Sequence, residues 1–143
     1  MSYSKKILVF FMIATMAVLT LAGCGGGGAS NDDSQSASGD VIKIGTLGPL
    51  TGNVATYGIS VKNGVEIAVD EFNADGGIDG KEIKLFSEDT RGDQTEAAST
   101  ANKLIQQDNV LAIVGGVISS ETMTAGPISN DAKVVMISPS STA

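Results

Sequence analysis

Four short apolar runs rich in β-branched residues, Val41 to Leu47, Glu82 to Phe86, Val110 to Val114 and Val134 to Ile137, are separated by three stretches of helical periodicity. A chain that alternates in this way has few folds open to it. Each intervening stretch is long enough for a helix that carries the chain back to the same end of a sheet, so successive strands run parallel. Near-continuous apolar runs suit strands covered on both faces. The pattern predicts an α/β fold of order β-α-β-α-β-α-β, with right-handed crossovers, helices on both faces of a parallel sheet and strand order 2-1-3-4.

The helical stretches carry their own punctuation. After Gly58, residues Val61, Val65, Ala68, Val69 and Phe72 share one helical face, and "NADGG", ending in Gly76 and Gly77, supplies a stop. The second helix opens at Asp93, with Glu96 three residues on as in a capping box, and aligns Ala97, Ala98, Ala101, Leu104 and Ile105 on one stripe. The third is expected from Ser119 or Ser120, either of which can cap it, to about Ala132. It contains Pro127, which can kink or interrupt it.

In the order 2-1-3-4 the chain moves one way from the first strand and the other way from the third. The loops after these strands therefore diverge and leave a crevice between them. Two loops are nominated, Gly48 to Tyr57 and Gly115 to Ser120. The second places Gly115-Gly116 and then Ser119-Ser120 at a helix start, where backbone N–H groups, hydroxyls and the helix dipole suit an anion. It lacks the lysine of a phosphate loop, and the first strand is not followed by the GxGxxG of a dinucleotide loop. A tight glycine turn followed by a serine cap fits the same residues.

The fourth run ends in "MISPSSTA", which brings Ser138, Ser140, Ser141 and Thr142 to the same edge as hydrogen-bonding groups. The first loop adds Thr51, Asn53 and Tyr57. The tyrosine either faces the crevice or packs on its own loop. Glu88, Asp89 and Asp93 lack the alternate spacing of a calcium loop and read as solvated acids that cap the next helix.

Ahead of this domain, Lys5 and Lys6 precede the apolar run Ile7 to Ala22. Its 16 positions would span roughly 24 Å as a helix, short of a bilayer core, which favours a signal peptide over residues 1 to 23. An uncleaved N-terminal anchor is the alternative. "LAGC", Leu21 to Cys24, resembles a bacterial lipobox, which implies lipid attachment at Cys24, the only cysteine. Residues 24 to 39, Gly- and Ser-rich and nearly free of apolar side chains, are expected to be a disordered tether, followed by the folded domain from residue 40 to 143.

Loss of the leader removes Lys5 and Lys6 from the 9 basic residues, leaving 7 against 16 acidic ones, a net charge of −9. That balance argues against nucleic acid. With no histidine and one cysteine, zinc sites built on those ligands, Ser-His triads and Cys-His pairs are excluded. No metal, cofactor or catalytic residue is expected. The chain stops a few residues past the fourth run, without a helix to cover it, and is expected to be an incomplete lobe.

The motifs "IKIGTLGPLTG", "YGISVKNGVEIAVDEFNADGGIDGKEIKL", "DTRGDQTEAASTANKLI", "AIVGGVISSET" and "VVMISPSST" together resemble the N-terminal lobe of the extracellular substrate-binding proteins of branched-chain amino acid ABC transporters. The resemblance covers about Val41 to Ala143. It implies a type I periplasmic-binding fold of two hinged lobes, lipid-anchored at the extracytoplasmic face of the membrane, which delivers an amino acid to a permease. It also implies that Ser119 and nearby backbone N–H groups hold the ligand carboxylate. Ser140 would offer its carbonyl to the ammonium, Thr142 would contact both ends, and Tyr57 would lie near the ligand side chain. Ser140 and Ser141 stand where many members have smaller residues and are expected to narrow or polarise the pocket. Two other readings stay open: a sensor of a small amide, urea or organic acid on the same fold, and a flavodoxin-like enzyme or phosphate-binding domain using the Gly115 to Ser120 loop.

Overall fold

A computed structural model of the chain describes residues 41–142. The expected leader, Cys24 and the tether lie outside the described residues, as do Asp40 and Ala143. Strands β1 (Ile42–Gly48), β2 (Ile83–Asp89), β3 (Ala112–Gly115) and β4 (Val135–Ile137) alternate with helices α1 (Ala55–Ala74), α2 (Gln94–Gln106) and α3 (Ser119–Asp131). The strands form one parallel sheet in the order β2-β1-β3-β4. Both the element order and the strand order follow the sequence pattern.

The two faces of the sheet are filled unequally. On β1, Leu47 points into the main core with Ala101 and Leu104 of α2, Ile113 of β3 and Ala125 of α3, all at 0 or 1 % exposure. Gly45 lies on the same face, and a Cβ there would sit 3.0 Å from Leu104 Cδ1, so α2 rests almost on the strand backbone. Ile44 is one residue out of phase with both and therefore points to the opposite face. There it lines an open apolar cleft with Val114, Val61, Val65 and Phe72, the sequence-predicted face of α1. The cleft is only partly covered, with Phe72 55 % exposed, and on β4 Val135 and Ile137 are exposed as well.

The helix ends differ from expectation in instructive ways. Helix α1 begins at Ala55, not after Gly58, because the turn Gly52–Val54 already directs Ala55 N–H to Gly52 O and Tyr57 N–H to Val54 O. At the far end Asn73 pairs like a strand residue with Ile83, donating to its carbonyl and accepting its N–H. Asp93 caps α2 as its sequence predicts, its Oδ1 accepting from the N–H groups of Thr95 and Glu96. Its own N–H goes to Thr90 O. Neither Ser119 nor Ser120 caps α3. The N-cap position falls to Ile118, whose N–H is met by Glu121 Oε2, and both serines lie inside the first turn. Pro127 sits within α3 without ending it.

Candidate functional site

All four strands point their carboxyl ends to one edge, and the loops after β1, β3 and β4 meet there. Their contact is tight because the residues at the junctions are small. Gly48 ends β1, and a Cβ on it would lie 2.6 Å from Val117 Cγ2. A Cβ at Gly58 would approach Pro49 O to 2.0 Å, so the first turns of α1 are seated directly on the loop that precedes them. Gly116 has a φ of 67°, the left-handed region, and a Cβ there would meet Thr122 Oγ1 at 2.5 Å. Only glycine satisfies both conditions at that position.

The β3 and β4 loops are joined by hydroxyl groups. Thr122 and Ser138 both donate to Gly116 O, each at 2.7 Å, and Ser140 donates to Val117 O at 2.6 Å. Ser138 Oγ accepts the Ser141 N–H at 3.1 Å. Ser119 Oγ, at the first position of α3, faces both the Ser141 hydroxyl and the Thr142 N–H at 3.4 Å. The carboxyl edge of the sheet thus carries Ser119 beside Thr142 at the amino end of α3.

The structure brings Ser119, Ser140 and Thr142 together. It places Tyr57 in the first turn of α1 rather than in the loop, 64 % exposed at the same edge of the sheet. It also redirects the Ser140 hydroxyl. Its proton is committed to Val117 O, so the Ser140 hydroxyl, like the Ser140 carbonyl, can act further only as an acceptor.

The expectation of solvated acids that cap the next helix holds for Asp93, which is exposed and caps α2, but not for Glu88 and Asp89. Glu88 pairs with Lys103 at 2.5 Å, and Asp108 accepts from the same ammonium at 3.0 Å. These two partners raise the Lys103 pKa. Asp89 gathers the β1 loop: its Oδ1 accepts from Leu50 N–H at 2.8 Å, Thr51 N–H at 3.3 Å and Arg91 N–H at 2.8 Å, while Oδ2 accepts the Thr51 hydroxyl at 2.6 Å. Burial pushes the Asp89 carboxyl up, but the Thr51 hydroxyl and the three amides outweigh it and hold the pKa below its ordinary value. The described residues contain no group of three or more His, Cys, Asp or Glu side chains able to hold a metal ion.

Two further residues at this edge escaped the sequence reading. Thr90 and Glu121 are fully buried, and the Thr90 hydroxyl donates to Glu121 Oε1. The signal for them was weak. A Glu in a helical first turn reads as a solvated partner of the dipole, and only the packing of α3 against α2 turns it inward.

A parallel sheet of this order with loops meeting at its carboxyl edge matches part of the first lobe of a type I periplasmic binding protein. The chain belongs to the periplasmic binding protein family, whose model matches residues 41–143. The leucine-, isoleucine-, valine-, threonine- and alanine-binding protein of Pseudomonas aeruginosa is 40% identical over 110 residues, 77% of this chain and 29% of that protein. Among solved structures, the branched-chain amino acid transporter substrate binding protein LivJ from Streptococcus pneumoniae, in complex with isoleucine, superposes with a TM-score of 0.71 at 41% identity, covering 73% of this chain and 30% of that one. A solute binding protein of an ABC transporter from Rhodopseudomonas palustris, in complex with 3,4-dihydroxybenzoic acid, superposes with a TM-score of 0.65 at 26% identity over 71% of this chain and 27% of its own. The chain therefore spans about 30% of the length of the proteins it matches.

Proposed function

We propose that the chain serves a lipid-anchored, extracytoplasmic solute-binding protein that captures an amino acid, a branched-chain one, and delivers it to the permease of an ABC transporter. Residues 41–142 supply one wall of the ligand crevice, and a second lobe supplies the other. The observation that carries this reading is the approach of Ser119 Oγ to Thr142 N–H at the amino end of α3. A carboxylate placed there accepts from hydroxyl and backbone N–H groups, and the Ser140 carbonyl is left for the ammonium. Tyr57 borders the ligand side chain.

Hydrogen bonds to charged groups contribute roughly 1.5 to 3 kcal/mol each. Several of them in a closed, dry crevice hold a zwitterion without a lysine or arginine. Lobe closure excludes the water that would weaken them. The site asks for no cofactor, and its hydroxyls have no base that would make them nucleophiles.

A second reading is a sensor of a small amide, urea or organic acid; its ligand class, not its sensing role, is favoured by the aromatic acid bound in the Rhodopseudomonas palustris relative. A thermal-shift panel of amino acids, amides and small acids on the full-length protein separates the two. The main proposal expects the largest shifts from leucine, isoleucine and valine. Shifts from benzoate-type acids or amides alone would replace it with the second.

A further inference from the structure

Strand β2 is one of the two edge strands of the sheet, and its own residues form no part of the proposed ligand site. Its last residue and the one that follows nevertheless touch both loops that do. In register, Asp89 pairs with Gly48, the last residue of β1. From there its carboxylate takes both N–H groups and the hydroxyl of the Leu50-Thr51 segment. Pro49, fully buried, precedes that segment and lies with its carbonyl against Gly58, the neighbour of Tyr57. A fixed Leu50-Thr51 segment therefore fixes the turn of α1 that carries the tyrosine.

Thr90 reaches the other way. Its N–H donates to Gly48 O at 2.9 Å and its carbonyl accepts from Asp93 N–H at 2.8 Å, which anchor it to β1 and to the cap of α2. Its hydroxyl donates to Glu121 Oε1, and Glu121 Oε2 lies 3.4 Å from the N–H of Ile118, the residue before Ser119. Thr90 and Glu121 are both at 0 % exposure, so water does not compete for these bonds. The turn that follows is left-handed at Arg91, with a φ of 53°, and at Gly92, with a φ of 75°. Asp89 Oδ1 takes the Arg91 N–H and so supports this unfavourable backbone.

We infer that Asp89 and Thr90 are the positioning residues of the ligand crevice, Asp89 setting the β1 loop and the start of α1, Thr90 acting through Glu121 to set the Val117-Ile118 peptide, just ahead of Ser119. This assignment rests on the ligand site proposed above. The two residues divide the work. Asp89 governs the end of the crevice where the ligand side chain lies, and Thr90 governs the end where its carboxylate lies.

Amide hydrogen exchange, read residue by residue, tests the linkage without a ligand, and calorimetry on the full-length protein tests its consequence. In Asp89→Ala, exchange at Leu50 and Thr51 should rise about tenfold while Ile118 stays protected, and Thr90→Val should show the reverse. Asp89→Asn, which keeps an acceptor for the amides, and Thr90→Ser, which keeps the hydroxyl, should restore protection. Thr90→Val should weaken leucine, isoleucine and valine by a common factor, whereas Asp89→Ala should change their ranking. General destabilisation would raise exchange in both segments in both variants, and that result overturns the assignment. So do unchanged affinities in both variants. If the unsubstituted full-length protein binds none of the three amino acids while the exchange pattern appears as expected, the amino-acid reading falls and the positioning of the loops by these residues stands.

Discussion

Ser119 Oγ lies 3.4 Å from the backbone nitrogen of Thr142, across 23 residues of sequence and two different strand ends. Ser119 is half-buried and Thr142 exposed, both outside the core, so removal of either side chain costs the fold little. In the full-length protein Ser119→Ala and Thr142→Ala should each weaken amino-acid binding by about tenfold or more, the loss of one hydrogen bond to a charged group. The melting temperature of the ligand-free form should stay nearly constant. Unaltered affinity in both variants removes the assignment of the site.

Gly58 is the one buried residue of α1, and its missing side chain is what lets Pro49 O approach. A methyl group there cannot coexist with a carbonyl 2.0 Å away, so α1 or the β1 loop must move. Gly58→Ala should lose about 1 to 3 kcal/mol in chemical denaturation, although alanine is the better helix former by about 1 kcal/mol. A neutral or stabilising outcome would show that the loop gives way freely.

Asp89 ties stability to acid. Its pKa is held below the ordinary 3.8, so the unfolded chain binds this proton more tightly than the folded one. The contribution is complete above the unfolded value and disappears as pH falls from there through the lower, folded value. Denaturation midpoints of the unsubstituted protein and Asp89→Asn should therefore differ by a constant amount above about pH 5 and converge below about pH 4. A gap that persists unchanged into acid would refute the role of the charge.

Cys24 lies outside the described residues, and its place after "LAG" is the whole basis for lipid attachment. Labelled palmitate fed to the producing cells should appear on the protein and be lost in Cys24→Ala. Absence of label on the unsubstituted protein would favour the plain N-terminal anchor.

The parallel order β2-β1-β3-β4 was legible because it follows from run lengths and periodicity. The apolar stripe Ala97, Ala101, Leu104 shows its buried face directly in the sequence, and three of its residues are indeed at 0 % exposure. The meeting of Ser119 with Thr142 was legible for a similar reason, since a parallel sheet sends every strand to the same edge. What stayed hidden were bonds between a side chain and distant backbone. The attachment of Asp89 to Leu50 spans 39 residues, and no local pattern distinguishes it from a solvated acid. The register would have revealed it, because Gly48 and Asp89 end their strands as partners. The expected serine caps fail because α3 starts one residue earlier than a Ser119 cap requires: Ile118 takes the N-cap position, which puts both serines inside the first turn.

The hydroxyls of Thr122, Ser138 and Ser140 have already taken backbone carbonyls as partners. An arriving molecule meets a wall whose rotors are set, and little conformational entropy remains for it to remove on this side. Loosening one of these bonds, as in Ser138→Ala, would touch no ligand atom. It would surface in calorimetry as a less favourable entropy of association, with the enthalpy of the surviving contacts largely kept.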